Sequence, residues 1–223
     1  MRMENIMYGE VKMAKEGPQT IESKEKEKID IKDIENVRLS KKITINNYLE
    51  FEKNRDKEKI AKFLKERFTE RYISPIKNSK QKSGFAIMAL SCLMIEALES
   101  FRKGWETTDK KSRKAFRSFF EYASDNNLKL GIFHKIADDF YRGVRCGLLH
   151  QAETTNGWRI MRKGVLFDES SKTINANKFL EGIEEYLDFY CQELKKSDWN
   201  DKIWKNLRNK MKAIIRNCKR GDK

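Results

Sequence analysis

Apolar residues recur along this chain at three- and four-residue intervals, the spacing that gathers them on one face of a helix. The first clear stripe is Ile60, Phe63, Leu64, Phe68 and Tyr72, with lysines and glutamates opposite, and it predicts a helix from about Asp56. Pro75 is expected to end that helix, because the residue before a proline is pushed out of the α region. Residues 77–82 then read as a basic linker. Ser83 to Lys103 is the most apolar segment, and its pattern is apolar nearly all round from Phe85 to Leu98. That marks a central buried helix, with Ser83 as N-cap and Gly104 closing the C-terminus. A further helix over Asp109–Ala123 places Phe116, Phe119, Phe120 and Tyr122 on its core side, and the polar run 124–127 forms a loop. The next stripe, Phe133, Ala137, Phe140, Val144 and Leu148, predicts a helix from about Ile132 to Leu149.

After His150 the texture changes. Short β-rich pieces around Gly164, between Trp158 and Thr173, predict a small hairpin. Helical spacing then returns in Phe179, Leu180, Ile183, Tyr186, Leu187, Tyr190 and Leu194, for a helix over 177–196. A last helix follows the Ser197-Asp198 cap, with Ile203, Trp204, Leu207, Met211 and Ile214 on one side. Lys202, Lys205, Arg208, Lys212 and Arg216 stand on the other. Residues 41–55 hold a short apolar pattern that fits no one element. Residues 1–40 are mixed in charge and poor in aromatics, and read as a weakly ordered lead-in. The expected architecture is therefore all-α: one helical domain over 41–223, with a small β-hairpin inserted after the fourth helix.

Charge sharpens this picture. The chain of 223 residues carries a net +14, unevenly distributed. Residues 41–82 hold thirteen basic and six acidic side chains, and residues 199–223 hold nine and two, whereas 83–198 is almost balanced. Localised positive charge is the footprint of a polyanion partner, since each neutralised phosphate releases a condensed counterion. The four cysteines, Cys92, Cys146, Cys191 and Cys218, share no short spacing, and two histidines do not complete a zinc set, so no metal or other cofactor is expected. Free thiols suit a reducing cytoplasm. The start of the sequence lacks the apolar core of a signal peptide, and the run Phe85–Ile95 is too short to span a bilayer, so no membrane partner is expected.

One stretch looks built for chemistry: Asp139-Phe-Tyr-Arg-Gly-Val-Arg145-Cys-Gly-Leu-Leu-His150, where an apolar helix runs out. In RNA the 2′-hydroxyl attacks its neighbouring phosphate once a base removes its proton. Histidine, with a pKa near 6.5, exchanges that proton at neutral pH. The transition state gathers charge on phosphate oxygens that a guanidinium fork can hold. The competing reading of the same residues is an arginine capping helix carbonyls and a histidine satisfied in the core. Gly143 and Gly147 would let another backbone or a phosphate approach closely. On an unbroken helix, five positions leave Arg145 and His150 roughly 140° apart. One chain alone would not join them unless the helix frays, whereas a two-fold axis near this helix end would. Glu96 inside the apolar helix is either the ion partner of Arg145 or a carboxylate facing water at its flank. Tyr141, one turn before Arg145, lines the same cleft or packs in the core.

Arg145-Cys-Gly-Leu-Leu-His150 resembles the R-x4–6-H motif of HEPN-domain ribonucleases, with Phe140-Tyr141 before it and a similar order of helices over roughly 56–196. The resemblance implies a HEPN-like helical bundle that pairs into a homodimer, with Arg and His of both protomers in one composite cleft. It implies metal-independent cleavage of RNA to a 2′,3′-cyclic phosphate, in phage defence or a toxin–antitoxin setting, with an antitoxin or other regulatory partner. Carried onto this chain, Arg145 binds phosphate and stabilises the transition state, and His150 is general acid or base. Glu96, Tyr141, Cys146 and Gly147 line or support the cleft, and Lys202, Lys205, Arg208, Lys212 and Arg216 hold the RNA backbone. Cys146 stands where the family often has Asn, Asp or His. The alternative is a catalytically inactive HEPN-like module that binds RNA or protein. A DNA-binding regulator using the last helix is a further reading, although no helix-turn-helix glycine turn precedes that helix.

Overall fold

A computed structural model describes residues 34–81 and 83–218. Most of the lead-in, residues 1–33, lies outside them, as does the end of the basic tail from residue 219. The ordered body starts upstream of residue 41: Ile34 and Leu39 are buried, and the Leu39 carbonyl accepts hydrogen bonds from both Arg67 and Arg71. The undecided pattern at 41–55 is helix α1, Ile45–Lys53. Thr44 and Asn47 cap it reciprocally: the Thr44 hydroxyl accepts from the Asn47 N–H, and Asn47 Oδ1 accepts from the Thr44 N–H.

Helix α2, Lys57–Phe68, buries Ile60, Phe63, Leu64 and Phe68 as its stripe demands. Pro75 does not end the helical path. The backbone widens into a π turn over Thr69–Ile73, and Pro75 then falls in the first turn of α3, Ser74–Asn78. There the hydrogen-bond register is changing from the π turn to α3, and a first-turn position tolerates the missing N–H of proline. Helix α4, Gly84–Lys103, has the expected caps. Ser83 Oγ accepts from the Ala86 N–H at 3.3 Å, and Gly104 sits at φ +68°, where a Cβ would lie 2.9 Å from Asn206 Cα. By length and composition alone α4 could cross a membrane, contrary to the expectation from its shorter apolar run. In the fold it is the central helix, packed on α5 (Ser112–Asp125), α8 (Ala176–Lys196) and α9 (Lys202–Arg216).

The fourth predicted helix is composite. It opens as a 3-10 segment, Lys129–Ile136, continues as α6, Ala137–Phe140, widens into a second π turn, Tyr141–Cys146, and closes as α7, Gly147–Gln151. The 3-10 segment is pinned to the end of α5, where a Cβ on Gly131 would meet Ser124 Cα at 2.6 Å. The β insertion is more than a hairpin. Strands β1 (Arg159–Met161), β2 (Phe167–Asp168) and β3 (Thr173–Asn175) form a sheet of order β1-β3-β2. Only β2 and β3 pair antiparallel, while β1 runs parallel to β3 with Ile160 opposite Ile174. A period-two pattern signals neighbouring strands but not a parallel third strand reached across a loop.

The core is strongly aromatic. Phe120 of α5 meets Phe133, Phe140 and Phe179, and Phe116 of the same helix meets Phe140. Phe140 stacks on Phe179 at 5.4 Å and 12°, and Phe119 on Tyr186 at 3.9 Å and 18°. Burying such side chains stabilises the fold by about 1.5–3 kcal/mol each. It also anchors the motif helix from below through Phe140 and Val144, both fully buried.

Candidate functional site

The motif helix is held from three sides. Beneath it lies the aromatic core. On a second side the returning chain crosses its glycines: the Thr155 N–H donates to the Gly143 carbonyl at 2.8 Å, and a Cβ on Gly143 would meet Trp158 Cδ1 at 2.2 Å. A Cβ on Gly147 would meet the Glu153 carbonyl oxygen at 2.5 Å. The close approach that the glycines allow is thus by the chain's own backbone. Gly147 is buried beneath residues 153–155, so it supports the site rather than lining a cleft. The indole of Trp158 donates to Asp139, and Lys172 binds the same carboxylate oxygen at 2.9 Å, which ties the small sheet to the motif helix.

On the third side stands α4. Arg145 gives Nε and Nη2 to Glu96 Oε1 at 2.9 and 2.8 Å. The other oxygen, Glu96 Oε2, accepts from Ser112 at 2.7 Å and Thr108 at 3.0 Å. Glu96 is therefore the ion partner of Arg145, and its hydroxyl contacts fix the carboxylate's orientation. Burial alone would weaken the charge on Arg145, but Glu96 more than offsets it and holds the guanidinium above its ordinary pKa. The Arg145 guanidinium lies 5.5 Å from the centre of the Tyr141 ring, which itself packs edge-on against Phe116. Burial, reinforced by the neighbouring Cys146, pushes the Tyr141 phenol up. Tyr141 thus packs behind Arg145 with Cys146 half-buried beside it, and neither lines the cleft that Arg145 borders.

Arg145 and His150 are not joined within one chain. Arg145 is 17% exposed and turned toward α4. His150 is exposed near the end of α7, with no hydrogen bond or ion pair among the described residues. The π turn ends at Cys146 and the path continues as α7, and His150 is not among the residues that line the cleft bordered by Arg145.

Arg145 stands at one wall of a cleft of about 580 Å³ bounded by the end of α2, by α4, by the loop at 106–108, by the motif helix and by α9. Of the basic residues expected on α9, Lys202, Lys205 and Lys212 are exposed. Arg208 is instead folded onto Trp199, 4.7 Å from the ring centre and donating to its carbonyl. Arg216 pairs with Glu106 at 2.6 Å. The other face of α9 brings Lys210 into the cleft opposite Arg67 of α2, two cations that sequence patterning assigns to no site. Their only signal is positional, since both flank apolar stripes.

A second polar cluster was also hidden. Glu99 is fully buried one turn beyond Glu96. It receives two hydrogen bonds from Arg102, each 2.7 Å, and one from the Tyr186 hydroxyl at 2.6 Å. Arg102 also donates to Ser118 Oγ and lies over Tyr122 at 4.2 Å. None of these four side chains, Glu99, Arg102, Tyr122 and Tyr186, lines the cleft that Arg145 borders. Among the described residues no group of three or more His, Cys, Asp or Glu is placed to hold a metal ion.

Fold and site together define a mostly helical protein with a small mixed sheet and a buried-edge arginine–carboxylate pair facing a cleft. Compared with known proteins, the chain matches no family model, no curated protein and no solved structure.

Proposed function

We propose that the chain is a cytoplasmic, homodimeric endoribonuclease of the HEPN type. It cuts RNA by attack of the 2′-hydroxyl on the adjacent phosphate, leaving a 2′,3′-cyclic end, in phage defence or a toxin–antitoxin setting with a regulatory partner. The observation that carries this reading is the setting of Arg145: a guanidinium fixed in direction by Glu96, Ser112 and Thr108 at the wall of a cleft, five residues before an exposed, unengaged histidine. Fixing a cation before the reaction spares the reorganisation that water would need, which is where such sites gain most of their rate. With Nη1 unpartnered among the described residues, the fork keeps donors for a phosphate oxygen. His150 exchanges the proton, and a second chain supplies the His150 that each Arg145 lacks. Lys202, Lys205 and Lys212 hold the backbone of the RNA.

The test is cleavage of RNA by the full chain in excess EDTA. Activity should persist, and should fall by at least about a hundredfold in His150→Ala and in Arg145→Ala. Cleavage equal to wild type in both variants would refute the site. A second reading, an inactive HEPN-like module that binds RNA or protein, draws on the exposed lysines of α9 and on Cys146. It predicts salt-sensitive RNA binding, weakened in Lys205→Glu, with no turnover.

A further inference from the structure

The cleft beside Arg145 holds more positive charge than its own carboxylates neutralise. Two acidic side chains line it, Glu96 and Glu106, and each is already paired, with Arg145 and with Arg216. Arg67 and Lys210 also line it, and neither has a carboxylate within ion-pair distance among the described residues. Arg67 spends one N–H on the Leu39 carbonyl, and Lys210 spends one on the Glu106 carbonyl at 2.9 Å. Their remaining donors are unmatched among the described residues. Both are only partly exposed, and Arg71 crowds Arg67 by donating to the same Leu39 carbonyl at 2.7 Å.

The charges feel this. Burial and then Arg71 pull the Arg67 guanidinium down to about 10, and burial and then Arg67 pull Lys210 below its ordinary value. Like charges held together away from water, which the more distant Glu70 and Glu106 offset only in part, raise the energy of the site, and a bound anion lowers it. The walls decide what kind of anion fits. Tyr72, Leu93, Leu148 and Leu149 offer apolar and aromatic surface, and Leu93 and Leu149 stand exposed at 44% and 57%. The volume lies within the range of ligand pockets. Phosphate suits a guanidinium with an ammonium, and a flat base suits the tyrosine and leucines.

We infer that Arg67 and Lys210 form a phosphate-binding site inside the cleft, and that its ligand is a nucleotide, free or within RNA, whose base lies against Tyr72 and Leu149. The inference does not depend on RNA being cut. It is tested by calorimetric titration of the full chain with AMP and, separately, with a 2′-O-methyl oligoribonucleotide, which has no 2′-hydroxyl to react. Binding of at least one is expected, weakened about tenfold or more in Lys210→Gln and in Arg67→Gln, and unchanged in Lys196→Gln on the exposed end of α8. AMP binding identifies a free nucleotide as the ligand, and binding of the oligomer alone identifies a nucleotide within a strand. Because Arg67 also holds Leu39, Lys210→Gln decides the matter if Arg67→Gln does not fold. The proposal is overturned if neither probe binds, if Lys210→Gln binds as tightly as wild type, or if Lys196→Gln weakens binding as much as Lys210→Gln.

Discussion

Glu99 and Glu96 are one turn apart on α4 and have opposite roles. Glu96 reaches a cleft, whereas Glu99 is fully enclosed and shares its charge with Arg102 and Tyr186. Removing one partner of such a buried pair leaves the other charge stranded, at a cost of about 3–5 kcal/mol. Glu99→Ala should therefore lower the urea midpoint sharply, while Glu96→Gln, which keeps the shape and part of the hydrogen bonding at a more open position, should cost less. Equal losses in the two variants would contradict the difference in burial. The buried phenols make a related prediction about pH. Burial raises Tyr48, Tyr186 and Tyr190 well above 10.0, with Glu99 adding to the rise at Tyr186. In the unfolded chain the same phenols ionise near pH 10. The folded state then keeps protons that the unfolded state releases, so this stabilisation is whole below about pH 10 and is lost as the pH climbs further. Burial likewise raises the Cys92 and Cys191 thiols, which ionise near pH 8.5 in the unfolded chain. Thermal unfolding followed by circular dichroism from about pH 7 to 11 should therefore show Tm starting to fall above about 8.5 and falling faster above about 10.

Gly147 links the motif helix to the chain that crosses it. On an isolated helix, alanine in place of glycine stabilises by about 1 kcal/mol. Here the added Cβ would meet the Glu153 carbonyl oxygen at 2.5 Å and Thr154 Cα at 3.2 Å, both backbone. Backbone cannot rotate aside, so Gly147→Ala should destabilise by about 1–3 kcal/mol and speed amide exchange at Thr155, whose N–H binds the Gly143 carbonyl. A rise in Tm would mean that the crossing segment yields easily. The same helix marks the limit of what patterning reveals. Its stripe placed Phe140 and Val144 in the core correctly, because burial is written in apolar spacing. The π turn over Tyr141–Cys146 left no trace, since three- and four-residue apolar spacing reads the same for an α turn and for a single widened one. Pro75 misled for the same reason, its clash being relieved by the other π turn. Glu96 and Arg145 were legible as a possible pair, because a carboxylate in an apolar helix needs a partner. Arg67 and Lys210 were not, because a lysine or arginine beside an apolar stripe looks the same whether it faces water or a cleft.

The divergence of Arg145 and His150 constrains how any assembly would work. If cleavage needs both side chains at one phosphate, and one chain holds them apart, each complete site takes its arginine from one protomer and its histidine from the other. A dimer then carries two such sites. The variants Arg145→Ala and His150→Ala are each inactive alone, since every site in either homodimer lacks one group. Mixed after gentle dissociation and reassociation, they form hybrid dimers in which the intact Arg145 of one chain meets the intact His150 of the other. Half the dimers are hybrids by random pairing and each has one whole site of two, so about a quarter of wild-type cleavage should return. Sedimentation of the mixture should report dimers throughout, and the recovered activity should rise with the hybrid fraction. If activity stays absent although hybrids form, the two residues act from the same chain, and the end of α7 must rearrange on binding RNA to bring His150 back over Arg145.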